Sequence, residues 1–208
     1  MKNPGGDFGS SPYSDRTSKY CSQCFKMTFL KFIPLTFSAF LILTNSYGQN
    51  RENKSFKISQ IKKVFQEINN YKNYKIITID DSEEFLGHGT DNGGSLKGFY
   101  RGDSLKKIVE WVGLSNRVIQ NEYYLDKGKL VFVYSTDKQY KFDDNKGEFD
   151  YSKFEKIITG RYYFSNDKLI YAIVNDKEHE KTKQQDATGF LSSSKKYIKL
   201  LSKKINRS

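Results

Sequence analysis

Histidine and cysteine are nearly missing from this chain: its 208 residues hold two of each. The cysteines, Cys21 and Cys24, form a single C-x-x-C pair in a polar leader. A zinc site would need a second pair or histidine partners, and a redox pair would need a βαβ setting. Neither accompanies it. From residue 49 onward there is no cysteine, so no disulfide can brace that part and a packed core must hold it. Also missing are H-E-x-x-H, G-x-S-x-G, a Gly-Lys-Ser/Thr phosphate loop and the alternating acids of an EF-hand. These absences remove zinc proteases, α/β-hydrolases, P-loop enzymes and calcium hands, and they point to no cofactor. An enzyme becomes the less favoured class.

Proline is scarce, with three residues, whereas aromatics reach 15%. Disordered chains are poor in aromatics, so this composition can fold, and 15 Tyr with 16 Phe suit strands. The length allows one domain with a core of useful size. Acids are the minority charge, leaving a formal net charge of +11. A basic balance raises nucleic acid as a partner, but such binders cluster Arg and Lys on one face. Here the excess is mostly Lys, scattered, with Asp143, Asp144, Glu148 and Asp150 among it. That is a solvated surface with guarded strand edges, and nucleic acid is set aside.

No apolar run is long enough to span a bilayer. The uncharged stretch Phe32 to Leu43 is 12 residues, against about 20 for a spanning helix. It is the length of a signal-peptide core. Lys26 and Lys31 precede it, and Ser46-Tyr47-Gly48 offers small residues for cleavage before Gln49. The expectation is a signal peptide over 27–48, residues 1–26 as a non-native upstream extension, and a single α+β domain over 49–208. That makes the protein exported, to the periplasm or beyond. Membrane association through an uncleaved anchor is the competing outcome.

Within 49–208 the periodicity predicts a helix from Ser55 to Tyr71. Its stripe is Ile58, Ile61, Val64, Phe65 and Ile68, with Ser55 as N-cap and Asn69-Asn70 as stop. Tyr74 to Ile79 reads as a strand, and Asp80 to Gly94 as a long acidic loop. Three hairpins follow, each with an aromatic pair, a polar turn and an apolar run. Their pairs are Phe99-Tyr100, Tyr123-Tyr124 and Tyr162-Tyr163. Their turns are Gly102-Asp103-Ser104, Asp126-Lys127-Gly128 and Ser165-Asn166-Asp167. Thr136 to Lys156 is a charged insertion, either a loop or an extended hairpin. A closing helix runs from Thr188 to Lys204, capped by Asp186 or Thr188, with Tyr197, Ile198 and Leu201 in its stripe. The fold class is α+β: a predominantly antiparallel meander of about seven strands flanked by an N-terminal and a C-terminal helix. One sheet face meets helices and the other meets solvent.

The Tyr47-Gly48-Gln49 junction and the hairpins resemble exported β-meander proteins of Bacteroidota, a resemblance that carries no activity with it.

Functional candidates are few. His88 lies among Asp80, Asp81, Glu83 and Glu84, a grouping that a hydrolase or a metal site could use, although its spacing fits no ligand pattern. His179 sits between two glutamates, as a surface residue would. Arg101-Gly102-Asp103 falls where a turn is required, and turn chemistry accounts for it. The aromatic ladder offers more. Tyr100, Tyr124 and Tyr163 occupy matching positions, on the face opposite Phe99, Tyr123 and Tyr162. One set is core. The other, with Trp111, Arg101 and Arg161, is the candidate surface for a ligand or partner, an envelope protein or a glycan. The leading expectation is a non-catalytic binding or structural module of the cell envelope.

Overall fold

A computed structural model describes residues 37–175, 177–178 and 184–206. The proposed upstream extension, residues 27–36 of the proposed signal peptide and His179 lie outside the described residues. The chain divides into two units, Met1–Ile42 and Leu43–Ser208, and every strand belongs to the second.

In chain order the elements are α1 (Phe37–Asn70), β1 (Lys75–Ile79), α2 (Ser82–Leu86), β2 (Gly94–Arg101), β3 (Ser104–Leu114), β4 (Arg117–Asp126), β5 (Lys129–Asp143), β6 (Glu148–Ser165), β7 (Lys168–Val174), β8 (Lys177–Glu178) and α3 (Gln184–Ile205). The strands form one antiparallel sheet in strict sequence order, β1 to β8. This is the expected α+β meander, with a two-residue edge strand added. Ser55 lies inside α1 and caps nothing. Asp186 and Thr188 likewise lie inside α3.

The three hairpins share a finer repeat than their sequences suggest. Each closes on a two-residue turn: Gly102-Asp103, Lys127-Gly128 and Asn166-Asp167. Lys127, Gly128, Asn166 and Asp167 all have positive φ, the sign pattern of a type I′ turn, which matches strand twist. In the first hairpin Gly102 alone is positive. One pair back from every turn a leucine is matched: Tyr100 with Leu105, Leu125 with Leu130, Phe164 with Leu169. A bulge follows each, at Lys106, Val131 and Ile170, where the register skips a residue.

Counting from the turns corrects the aromatic alignment. Phe99, not Tyr100, is the equivalent of Tyr124 and Tyr163. The first turn begins one residue earlier in its hairpin than the aromatic pairs imply, and a one-residue slip sends a side chain to the other face.

The expectation of one solvated sheet face is also overturned. Each face carries a helix. Ile61 and Ile68 of α1 pack with Tyr124, Phe132 and Tyr163. On the reverse face Tyr197 and Leu201 of α3 pack with Tyr100, Ile108, Tyr123, Val133 and Tyr162, and Phe85 of α2 joins them. Both aromatic sets are therefore buried, apart from Phe99, which is half-buried. Adjacent Tyr123 and Tyr124 are each about 1% exposed although they point in opposite directions. At roughly 1.5–3 kcal/mol per large apolar side chain, neither face could be stripped of its helix cheaply.

The acidic loop also contains structure. Asp81 caps α2 by accepting from the Glu83 amide at 2.9 Å, and Gly87 ends it at φ 93°. The charged insertion is the extended hairpin, built from the far halves of β5 and β6. It projects as an arm past Arg117–Gln139 and Gly160–Val174, the last pairs that β4 and β7 make with this hairpin.

Candidate binding groove on the α1 face

Antiparallel register aligns residues from distant strands into rows, about 7 Å apart on one face. The α1 face has four such rows. The first, Phe99, Lys107, Tyr124, Phe132, Tyr163 and Tyr171, lies under α1. Its rings meet Phe65, whose centroid is 4.9 Å from that of Tyr124 and 5.3 Å from that of Phe132.

The second row includes Glu122, Tyr134 and Arg161. Here charge enters at the helix edge. Lys107 Nζ is 2.7 Å from Glu122 Oε2, the Tyr124 hydroxyl donates to Glu122 at 2.6 Å, and Gln120 Nε2 donates at 3.1 Å. The Asn69 amide oxygen, from the penultimate residue of α1, lies 3.2 Å from the Tyr124 hydroxyl and 3.4 Å from Lys107 Nζ. This cluster ties the helix end to the sheet. Burial pushes the Glu122 carboxyl up, but the bonds from Lys107 and Tyr124, with the Lys107 charge, outweigh it and hold the group below the usual range. Burial first, then Glu122, drives the Tyr124 hydroxyl well above the ordinary tyrosine value.

The third row is Trp111, Gln120, Thr136 and Thr159. The fourth contains Val118, Lys138 and Ile157. These rows are not covered by α1. Two adjoining cavities follow the face, about 560 Å³ beside α1 and about 570 Å³ over the open rows, and Tyr134 lines both. The arm extends the wall with Tyr140, stacked on Phe154 at 5.1 Å and 21°, and with Tyr151 edge-on to Tyr140 at 5.0 Å. Phe154 and Tyr151 are exposed, as are Phe142 and Ile157.

The six candidate surface residues separate. Trp111 and Arg161 line the groove, and Tyr124 and Tyr163 form its buried end. Tyr100 faces the other way, among the residues around Leu201. Arg101 sits at the end of β2, 3.1 Å from Glu67 Oε1 and 4.6 Å from the centroid of Tyr71. It pins the tail of α1, and as an exposed pair it contributes little.

In the acidic loop His88 makes a local contact. Its Nδ1 lies 2.9 Å from the carbonyl oxygen of Gly89, one residue on. Asp81 is spent on the α2 cap, and Asp91 accepts from the Ser115 amide. Among the described residues no group of three or more His, Cys, Asp or Glu could hold a metal ion. Among the same residues no helix is long and apolar enough to cross a membrane.

Gln120, Tyr134, Thr136, Thr159 and the Lys107–Glu122 pair went unnoticed at the level of sequence. Each is an ordinary strand residue, and only cross-strand register brings them together. Comparison with protein-family models, curated proteins and solved structures returned no match. What the fold and groove define is a class: an antiparallel meander between two helices, with one face left partly open as a trough.

Proposed function

We propose that the chain is an exported, non-catalytic binding module of the cell envelope, and that its ligand lies in the groove. One observation carries this reading. Beyond α1, the sheet keeps an indole, an amide and two hydroxyls in one uncovered row, Trp111, Gln120, Thr136 and Thr159. Concave sites with apolar walls and a few placed polar groups are where ligands bind, and a sheet floor holds them rigidly. The groove's carboxylate supports a non-catalytic role. Glu122 is bound to Lys107 and Tyr124 and held ionised, the opposite of a group poised to exchange protons near neutrality. Export rests on the leader features before Gln49.

Two measurements test this. N-terminal sequencing of the exported chain should begin at Gln49, and a chain beginning at Met1 or Met27 that sediments with membranes would contradict export. Trp111 is the only tryptophan, so its emission reports on the groove. Soluble polysaccharide and peptide fractions of the envelope should change that emission saturably. A folded chain that responds to none of them would remove the binding role.

A further inference from the structure

The open rows of the groove are polar without being charged. Trp111, Gln120, Tyr134, Thr136, Tyr140 and Thr159 line the cavity beyond α1, and all six are half-buried, so the sheet holds them while leaving them accessible. Gln120 spends one amide hydrogen on Glu122. The indole N–H of Trp111 and the hydroxyls of Tyr134, Thr136, Tyr140 and Thr159 make no hydrogen bond within the described residues. Charge, by contrast, is already committed. Among the described residues lining this cavity Lys138 alone is charged, and its Nζ is set 5.5 Å from the centroid of the Phe154 ring. One row nearer α1, Lys107 and Glu122 bind each other at 2.7 Å, and Arg161 has an interaction of its own. Aromatic surface brackets the hydroxyls. The indole of Trp111 lies over Gly113, where an added Cβ would be 3.0 Å from Cη2, so the missing side chain lets the ring lean along the sheet. Tyr134 and Tyr140 stand on either side of Thr136, roughly 20 Å apart along β5, and Tyr140 is stacked on Phe154.

Resting on the groove as the binding site, we infer that its ligand is a neutral oligosaccharide, a chain of uncharged pyranose rings with equatorial hydroxyls. Such a ring carries C–H hydrogens on its faces and hydroxyls around its rim. The faces of Trp111, Tyr134 and Tyr140 are the negative side of the aromatic quadrupole, and they receive the C–H faces of successive sugars. The rim hydroxyls meet groups that both donate and accept at Thr136, Thr159 and Gln120. A carboxylate on the ligand would be desolvated beside a single cation that is already set over Phe154. An extended peptide fits less well. Peptides gain most of their affinity at sheets by pairing with a free strand edge, and the groove floor is a sheet face whose backbone groups are already paired.

The test uses the purified chain, read by Trp111 emission and by titration calorimetry, so that a ligand silent in emission is still detected. The probes are cellohexaose and N-acetylchitohexaose, both neutral, the acidic hexagalacturonate, and a neutral Gln-Ser peptide of similar length. At least one neutral hexasaccharide should bind saturably, with an affinity that added salt leaves unchanged. Thr136→Val and Thr159→Val keep the side-chain shape and the strand preference. Each should weaken binding about threefold to tenfold, the cost of one hydrogen bond. Tyr140→Ala, on the arm, should weaken it as well, and circular dichroism checks the folding of all three variants. Equal or tighter binding of hexagalacturonate or of the peptide overturns the neutral glycan while leaving the groove a binding site. Folded threonine variants that both bind as tightly as the parent also overturn it, because the row then makes no contact. A folded chain that binds none of the four probes overturns it too, and the envelope fractions then decide whether the groove is a site at all.

Discussion

The hydroxyl of Tyr197 on α3 lies 2.5 Å from Glu110 Oε1 on β3, 87 residues away in sequence. The other oxygen of the same carboxylate accepts from Tyr123 at 2.7 Å and from Asn121 at 2.9 Å. Three donors thus surround one buried acid, and one of them comes from the closing helix. Tyr197→Phe removes the interelement bond without opening a cavity. It should cost about 1–3 kcal/mol, read as a lower urea midpoint with an unchanged slope.

Alkaline pH should unfold the protein through its tyrosines. Burial is the main cause raising the hydroxyls of Tyr123, Tyr124, Tyr162 and Tyr197. Glu110 adds to it for Tyr123 and Tyr197, Glu122 for Tyr124 and Asp186 for Tyr162. In the unfolded chain these groups lose protons near pH 10, whereas the folded chain keeps them. Above that pH the unfolded state binds fewer protons, so stability falls as pH rises. Absorbance at 295 nm should show a fraction of the tyrosines ionising only as the far-UV signal collapses. Complete ionisation with the fold intact would contradict this.

Glu122 gives the opposite limb. Its folded pKa is depressed, so its contribution is complete above the unfolded value of about 4.3 and disappears as pH falls through the folded one. Glu122→Gln should flatten the acid limb of the stability profile, below the unfolded value, relative to the parent, as measured by urea unfolding at each pH.

Two glycines should respond in opposite ways to alanine. A Cβ on Gly113 would sit 2.7 Å from the Asn92 carbonyl oxygen, where the loop after α2 is bonded across β3. Because the obstacle is backbone, Gly113→Ala should destabilise by about 1–3 kcal/mol. Gly189 lies inside α3 with nothing within 4 Å of its added Cβ. Gly189→Ala should stabilise by roughly 0.5–1 kcal/mol. Thermal melts of the two variants would check both signs.

The arm should be dispensable for folding. Replacing residues 140–155 with an Asn-Gly turn joins Gln139 to Lys156, which already face each other. The melting temperature should change by less than the equivalent of about 1 kcal/mol, since the arm packs on neither helix.

What could be read from the sequence was whatever is local. Aromatic pairs, turn residues and helical stripes lie within a dozen positions of one another, and they disclosed the meander and both helices. Layering was hidden for a specific reason. Tyr123-Tyr124 and Tyr162-Tyr163 place an aromatic on each side, so no polar alternation marks a solvated face. The slip at Tyr100 came from turn geometry, because Gly102 opens its turn one position earlier than Lys127 or Asn166 does. The α2 cap at Asp81 was legible in principle, but the acidic run around it masked it as a loop. The groove was not legible, because Trp111 and Thr159 are 48 positions apart and share a row only through three strand registers.

The strict strand order has a consequence for how the molecule comes into being. Every pairing joins neighbours in sequence, so the sheet can grow hairpin by hairpin with short loops to close, the regime of fast folding. The helix that seals one face is made after all the strands, yet it touches β1, the first of them. Until α3 emerges, Leu96, Ile108, Tyr123 and Val133 form an uncovered apolar plane. A growing chain therefore passes through an almost finished sheet that is prone to self-association, and its last elements determine whether it escapes that state.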